Sequence, residues 1–460
     1  SEQLPFCVGH DASLNGDYGD NPSAVRPAMN LSTAGNNILF VSAAEGGKPS
    51  GGLAEIPAYT GNEWKLTLRD STRSFSVTSN KTVTAAPGGT VEITYTGTET
   101  GGNEYVSVLL CDSNDNVLYY GKIAQNSASG TASIAIPGDL APGSYNLKLF
   151  SEQCNGDKKT DYASDFVDID LTVGYQEQFT LTPGGVYYFD LSGVSIPGTA
   201  NGSLPDKTMH YVPFTYAGTV DAYKLTSEMA TTEEYAQQNE YAHSLFVADY
   251  AVTHAVSWDN LNAEGLIFGK GYATGSVDYT LRAPSVGSDS AGSGDSQHGT
   301  PQSNEWDRIL DKNDGYIKNW SRMHSWGQDI SRSSWTTRAV RGYSSARFWG
   351  YNRATRSSPY VGFRPVLEIL NPGTLGSDGL KAVTLDLGGG KLGGSSEDIQ
   401  IIVKKGSEFT APASDGLTRP EGNTDSYFQW LGSDGKLYAP GESVPADVIT
   451  LTAQFDFKEQ

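Results

Sequence analysis

Arg338-Ala339-Val340-Arg341-Gly342-Tyr343-Ser344-Ser345-Ala346-Arg347 and, after a short gap, Val361-Gly362-Phe363-Arg364-Pro365-Val366-Leu367-Glu368 form the most distinctive stretch of this chain. They lie in a window, residues 320–365, that holds Trp320, Trp326, Trp335 and Trp349, half of the eight tryptophans. The window adds Tyr343, Phe348, Tyr351, Tyr360 and Phe363, eight arginines, no lysine and one acid, Asp329. Ser, Thr, Asn and Gly fill most of the rest. In a chain of net charge −21 this is a local basic, aromatic island. Trp, Tyr and Arg carry the hot spots of binding surfaces, and Tyr, Ser, Gly and Asn supply adaptable contacts in antibody loops. Irregular folds also staple long loops with buried Trp and Arg. Both demands apply, to different residues. Trp326, Arg338, Arg341, Arg347, Trp349 and Arg364 are assigned to the scaffold, and the positions between them to a partner-facing surface.

Outward from the window, residues 174–371 read as α+β. Short strands over 186–191 and 210–216 precede Thr231-x-x-Glu234, a capping box that predicts a helix over 235–243. A Gly- and Ser-rich loop fills 285–300, a second helix is expected over 304–311, and loops then lead to a strand over 363–370. Residues 66–173 alternate apolar and polar at Val91, Ile93 and Tyr95, at Tyr145, Leu147 and Leu149, and at Val167, Ile169, Leu171 and Val173. Turn signals such as Pro87-Gly88-Gly89 and Pro142-Gly143 separate them, the spacing of an immunoglobulin-like sandwich. Asp112, Asn114 and Asn116 have calcium-type oxygens, but a hairpin turn accounts for them. Residues 380–460 form a small β module, with Val383, Leu385 and Leu387, then Ile399, Ile401 and Val403, then Ile449 and Leu451, behind a linker at 371–379. Residues 1–65 are Gly-, Asn- and Ala-rich, with one apolar stretch at 38–41. Within them Val25-Arg26-Pro27-Ala28-Met29-Asn30-Leu31 echoes Phe363-Arg364-Pro365-Val366-Leu367-Glu368-Ile369.

Composition bounds the function. The 460 residues suit about three domains. Glycine (53) and proline (21) make up about 16% of the chain against an average near 12%, an excess that favours turn-rich β structure. The acidity argues against nucleic-acid or anionic-membrane binding, and no apolar run reaches the length of a spanning helix. Cys7, Cys111 and Cys154 do not make a disulfide scaffold; one bridge, Cys111 to Cys154, or three unpaired thiols are both open. The Thr-, Ser-, Asn-, Gly- and Tyr-rich composition and tandem β modules suggest a secreted or surface protein. Opening on Ser with no signal-like stretch is what a trimmed chain or a mature fragment looks like, and the missing leader proves little.

Catalytic constellations are poor. His10, His210, His243, His254, His298 and His324 show no metal-ligand spacing, and no HExxH, GxSxG, Walker or CxxC pattern occurs. Trp258-Asp259-Asn260 is only superficially like the strand motif of calcium lectins. Glu233 and Glu234 suit the first turn of a helix, and Asp307 and Asp311 a solvated helix face. No catalytic residue, metal or cofactor is expected.

Asn304-Glu305-Trp306-Asp307-Arg308, Trp326-Gly327-Gln328-Asp329 and the two stretches quoted at the outset resemble the C-terminal signature of variable proteins of diversity-generating retroelements. The resemblance covers residues 174–371. It implies a C-type-lectin-like fold of the formylglycine-generating-enzyme subtype. In that family a reverse transcriptase copies a template with errors at adenines, scattering Asn-type codons over a solvent-facing binding surface. The fixed frame it implies is Trp326, Arg338, Arg341, Gly342, Arg347, Trp349, Gly362, Phe363, Arg364 and Pro365. The implied diversified, ligand-binding positions are Ser333, Trp335, Thr337, Phe348, Gly350, Tyr351, Asn352, Arg353, Arg356, Ser358 and Tyr360, with His324 as a further candidate. Trp335 alone is not reachable from an Asn codon altered at its adenines. The enzymatic relatives need a late pair of cysteines, and this chain has none after Cys154. The echo at 25–31 resembles the end of a second lectin-like domain, so residues 1–65 are either its remnant or a strand used differently. Residues 380–457, with Thr384-Leu385-Asp386-Leu387-Gly388 and Leu451-Thr452-Ala453-Gln454-Phe455, resemble an internalin-type B-repeat, a β-grasp-like module of bacterial surface proteins.

The expectation is therefore a multidomain, mostly β protein displayed on a bacterial or prophage-encoded surface. It would bind an unidentified macromolecular or glycan ligand, with no nucleic acid and no membrane insertion. The alternatives are a structural surface or fibre protein and an enzyme of the formylglycine-generating type.

Overall fold

The computed structural model describes residues 6–8, 14–16, 37–56, 58–227, 233–376 and 379–455. The chain is mostly β and forms two compact units, Ser1–Gly174 and Tyr175–Gln460. Among the described residues no helix is long and apolar enough to cross a membrane.

The first unit is a two-sheet sandwich. A three-stranded sheet (Ser76–Val77, Thr90–Thr96, Ser129–Ala135) packs on a nine-stranded one centred on Glu104–Cys111, Val117–Gln125 and Gly143–Gln153. Val91, Ile93 and Ile134 of the small sheet meet Val108, Leu110, Leu147, Leu149, Ile169 and Leu171 in one core. Thr90–Thr96 alternates exposed and buried along its length, as its sequence dictates. Asp112 accepts the N–H groups of Asn114 and Asn116 and the Asn116 amide, closing the expected hairpin turn. The large sheet starts before residue 66: Ile38–Ala43 pairs antiparallel with Trp64–Arg69, which pairs in parallel with Asp161–Ala163. The echo at 25–31 lies outside the described residues. Cys111 and Cys154 are both unbridged. Cys111 stands opposite Asn146, whereas Cys154 follows Gln153, opposite Glu104 at the other end of the ladder. No bridge spans that distance.

The second unit contains two six-stranded sheets. One runs Val186–Phe189, Val212–Tyr223, Glu240–Ala248, Val366–Ile369, Val277–Arg282, Lys270–Thr274. The other runs Thr199–Ala200, Thr253–His254, Val361–Phe363, His324–Ile330, Thr337–Gly342, Trp349–Arg353. The strand expected over 363–370 is thus two strands, one in each sheet, divided at Arg364-Pro365 where proline offers no N–H to a ladder. The helix expected over 235–243 is Glu233–Gln238, and the chain turns at once into the strand Glu240–Ala248. Thr231 of the capping box lies outside the described residues. The second helix is Glu305–Lys312, with Asn304 as its N-cap. Trp258-Asp259-Asn260 opens a helix, Trp258–Ala263, rather than lying on a strand. Where only loops were expected after residue 311, His324–Ile330, Thr337–Gly342 and Trp349–Arg353 are strands.

Leu380–Asp386, Ile399–Lys404, Gln429–Gly432, Leu437–Tyr438 and Thr450–Gln454 make a five-stranded sheet. Its core holds Val383, Leu385, Trp430 and Leu451, while Ile449, part of the expected apolar pattern, is exposed. The module is packed onto its neighbour. Leu380 and Ile402 join the core of the preceding sheets, Tyr211 joins the core of the module, and Lys404 N–H donates to the Gly275 carbonyl at 2.7 Å.

Candidate functional site

The frame beneath the site is built from buried arginines and tryptophans. Arg341 is fully buried and makes a two-pronged pair with Asp307, at 3.0 and 2.6 Å. Asp307 also accepts from the Gly299 N–H at 2.7 Å and from the Asn304 amide at 2.5 Å. The expectation that Asp307 faces solvent is therefore wrong: it is the counter-charge that lets an arginine lie inside a strand, and only Asp311 reaches the surface, paired with Arg347. Arg282, Glu305, Glu368 and His243 form a second buried network. Burial is the largest single influence and pushes both carboxyls up, but Arg282 together with His243, and for Glu368 also Lys224 and Tyr241, more than offsets it. Together these partners hold Glu305 well below the ordinary carboxylate range and Glu368 at about 2.

Arg364 is buried and donates to the Ala248 carbonyl, the Asn319 carbonyl and Ser325 Oγ. Burial lowers its pKa to about 10, so it stays charged at neutral pH. Trp326, Trp349 and Trp306 each donate their indole N–H to a backbone carbonyl, of Val256, Gly287 and Ala346. Arg338 stacks over Trp258 at 4.2 Å. Gly342, Gly362, Phe363 and Pro365 are buried with them. Of the expected frame only Arg347 is partly open, through its pairs with Asp311 and Asp314.

Above this frame a concavity of about 300 Å³ opens at the edge of the second sheet. His324, Phe348, Gly350, Tyr351, Asn352, Arg356, Ser358 and Tyr360 line it, eight of the twelve positions singled out from sequence. The His324 ring stacks on Tyr343 at 4.6 Å and lies 5.7 Å from Phe348, and Tyr360 stands edge-on to Tyr343. Gly350 lies close to the Phe348 ring, which a Cβ there would meet at 3.0 Å. Tyr351 is 51% and Tyr360 56% exposed. His324 is neutral, its pKa lowered to about 4 by burial.

The other four positions lie elsewhere. Ser333, Trp335 and Arg353 lie outside the concavity, with Trp335 exposed at the tip of the turn that precedes Thr337–Gly342. Thr337 is buried and its hydroxyl donates to the Ser334 carbonyl, so it does not present to a ligand. Ser358 lines the concavity but is also largely buried, its Oγ accepting the Tyr360 N–H. Val340, Tyr343 and Val361 line the concavity and were not selected. Nothing in its residue type marks Tyr343: Gly342 and Tyr343 both have positive φ, +88° and +95°, and this turn brings the Tyr343 ring onto His324.

No carboxylate lines the concavity among the described residues. It offers aromatic faces, one guanidinium, an amide and hydroxyls, which is equipment for non-covalent recognition. A larger cavity, about 700 Å³, lies where Asp190, Ser192, His210 and Tyr272 meet residues 401–413. There Ser192 and Asp190 both contact His210 through the same Nδ1, each at 3.1 Å. A proton relay needs its base to serve different partners on its two nitrogens, so this trio is not one. Compared with models of known protein families and with curated proteins, the sequence matches none.

Proposed function

We propose that this protein is a surface-displayed binding protein, and that the concavity lined by Phe348, Tyr351, Arg356 and Tyr360 is its recognition surface. On this proposal residues 174–371 are a C-type-lectin-like domain of the retroelement-diversified kind. The preceding sandwich is immunoglobulin-like, and the C-terminal module is a β-grasp-like B-repeat that helps to hold the domain away from a bacterial or phage surface. One observation carries the proposal. Eight of the twelve positions picked as changeable line one open concavity, while Trp326, Arg338, Arg341 and Trp349, which fall between them in sequence, are buried. A surface built this way tolerates exchange of its outward side chains because none of the frame's buried hydrogen bonds runs through them. The ligand class is a protein or a glycan, since exposed Tyr faces and an arginine fork serve either.

The test is a display screen of the full chain against glycans and surface proteins. For any ligand found, Phe348→Ala, Tyr351→Ala and Tyr360→Ala should each weaken binding by roughly tenfold, about 1–2 kcal/mol, with the melting temperature unchanged. Retained affinity in all three variants would remove the concavity from the proposal. The genetic arm is separate. A near-copy of the coding stretch for residues 320–365, differing chiefly at adenines and lying beside a reverse-transcriptase gene, is expected in the source genome.

A further inference from the structure

Inside the N-terminal unit, far along the sequence from the concavity's residues, a lysine is sealed against two carboxylates. Lys48 lies in the loop after Ile38–Ala43, its side chain 6% exposed. Glu152, near the end of Gly143–Gln153, and Asp161, at the start of Asp161–Ala163, are fully buried. Lys48 Nζ bonds to Glu152 Oε1 and lies 2.6 Å from Asp161 Oδ2, with Thr67 Oγ1 at 2.7 Å. The Phe40 ring covers the amine at 4.6 Å and Tyr120 flanks it at 5.8 Å. Phe150 packs against Phe40 behind them.

The groups around the acyl carbon are ordered too. Asp161 Oδ1 accepts the Asn155 N–H at 2.7 Å, Lys65 Nζ lies 2.9 Å from Oδ2, and Glu152 Oε2 accepts the Tyr120 hydroxyl at 2.7 Å. Glu152, Cys154 and Asp161 are close enough together to ligate a cation. However, the Lys48 ammonium stands between the two carboxylates, and burial pushes the Cys154 thiol up to about 12, away from the thiolate a metal needs.

We propose that Lys48 Nζ and Asp161 Cγ condense into an intramolecular isopeptide bond, with Glu152 as the proton carrier. Glu152 takes one proton from the ammonium, and the freed nitrogen lone pair adds to Asp161 Cγ. The carbonyl π pair moves onto Oδ1, where the Asn155 N–H stabilises it. Two of the three ammonium protons reach Oδ2 by way of Glu152. Oδ2 leaves as water, the pair on Oδ1 re-forms the carbonyl, and the third proton stays on the amide nitrogen. Ammonium plus carboxylate becomes amide plus water, so no oxidant, cofactor or activating group is consumed. Held amine and acyl groups react as if at very high local concentration, and the aromatic wall keeps out the water that would reverse the step. Condensation also removes two buried charges whose desolvation is costly, and leaves Lys65 Nζ bonded to the Gly156 carbonyl and Glu152 to the Tyr120 hydroxyl. Lys48, not Lys65, is the reacting amine, because it alone touches both the acyl group and the proton carrier. The bond would tie positions 113 apart and clamp the edge of the sandwich against pulling or proteolysis.

The test is the intact mass of the purified full chain. It should fall one water, about 18 Da, below the mass of the sequence, and fragment spectra should show the Lys48 peptide joined to the Asp161 peptide. Glu152→Gln, shown to be folded by near-ultraviolet circular dichroism, should retain the full sequence mass. Folded wild-type protein that keeps its full sequence mass after prolonged incubation overturns the bond. So does a water loss mapped to Lys65 or to a succinimide. Unimpaired water loss in folded Glu152→Gln overturns the role of Glu152.

Discussion

Arg341 and Arg356 are the same residue type close together in sequence, yet they live in opposite environments. Arg341 is sealed against Asp307, while Arg356 is exposed at the rim of the concavity. Removing one partner of a buried pair strands the other charge. Asp307→Ala should therefore cost about 3–5 kcal/mol of unfolding free energy in urea titrations, while Tyr351→Ala, at an open site, should change it by no more than about 0.5 kcal/mol. Comparable losses in the two variants would contradict the division into frame and surface.

His324 adds a pH dependence. Its folded pKa of about 4 lies below the ordinary 6.5, so between those values the unfolded chain binds more protons than the folded one. Its contribution to stability is complete above about pH 6.5 and is lost as pH falls towards 4. A proton NMR titration should find the His324 ring neutral down to about pH 5, and a midpoint near 6.5 would refute its burial against Tyr343 and Phe348. Composition marked the window, but the division within it followed the motif that carries the family resemblance, because residue type does not separate buried Arg341 and Trp326 from exposed Arg356 and Trp335. It could not single out Thr337 or Tyr343. Their fates depend on a turn hydrogen bond and a left-handed backbone, which residue type alone does not encode.

At the scale of elements, legibility followed burial on one face or two. Thr90–Thr96 and Val167–Val173 have one wet face, so their alternation was plain in sequence. Thr337–Gly342 is buried at every position, two arginines included, and such a strand has no period to read. The helix expected to run to residue 243 fails for a related reason: Tyr241, His243 and Leu245 lie on a strand whose later residues are buried on both faces.

Strand Val361–Phe363 is held between Thr253–His254 and His324–Ile330, and Gly362 sits at its centre. A Cβ on Gly362 would meet the Thr253 carbonyl oxygen at 2.3 Å, a backbone atom that cannot swing aside. Gly362→Ala should force the two strands apart and cost about 1–3 kcal/mol in chemical denaturation. A neutral result would show that this junction has slack.

For the whole molecule, the issue is whether residues 380–455 are a separate bead or part of the body that carries the concavity. A Gly-rich linker and a self-contained apolar pattern suggested a bead. Packing makes the module part of that body. Tyr211 is buried among the module's own core residues and its hydroxyl bonds to the Ala413 carbonyl, while Leu380 and Ile402 are buried among the preceding sheets. These exchanges were invisible in sequence because each residue also fits the periodicity of its own strand or loop. Full burial of one large apolar side chain contributes about 1.5–3 kcal/mol, and about 1 kcal/mol moves the melting point of a domain of this size by roughly 2–4 °C. Ending the chain after Asn371 should therefore lower the melting temperature of the part that carries the concavity by roughly 3–12 °C. In the full chain, residues 175–460 should melt in a single calorimetric transition. If the shortened chain kept its melting temperature, and the full chain showed a further independent transition for the module, the seam would be a tether. The concavity would then owe none of its stability to the C-terminal module.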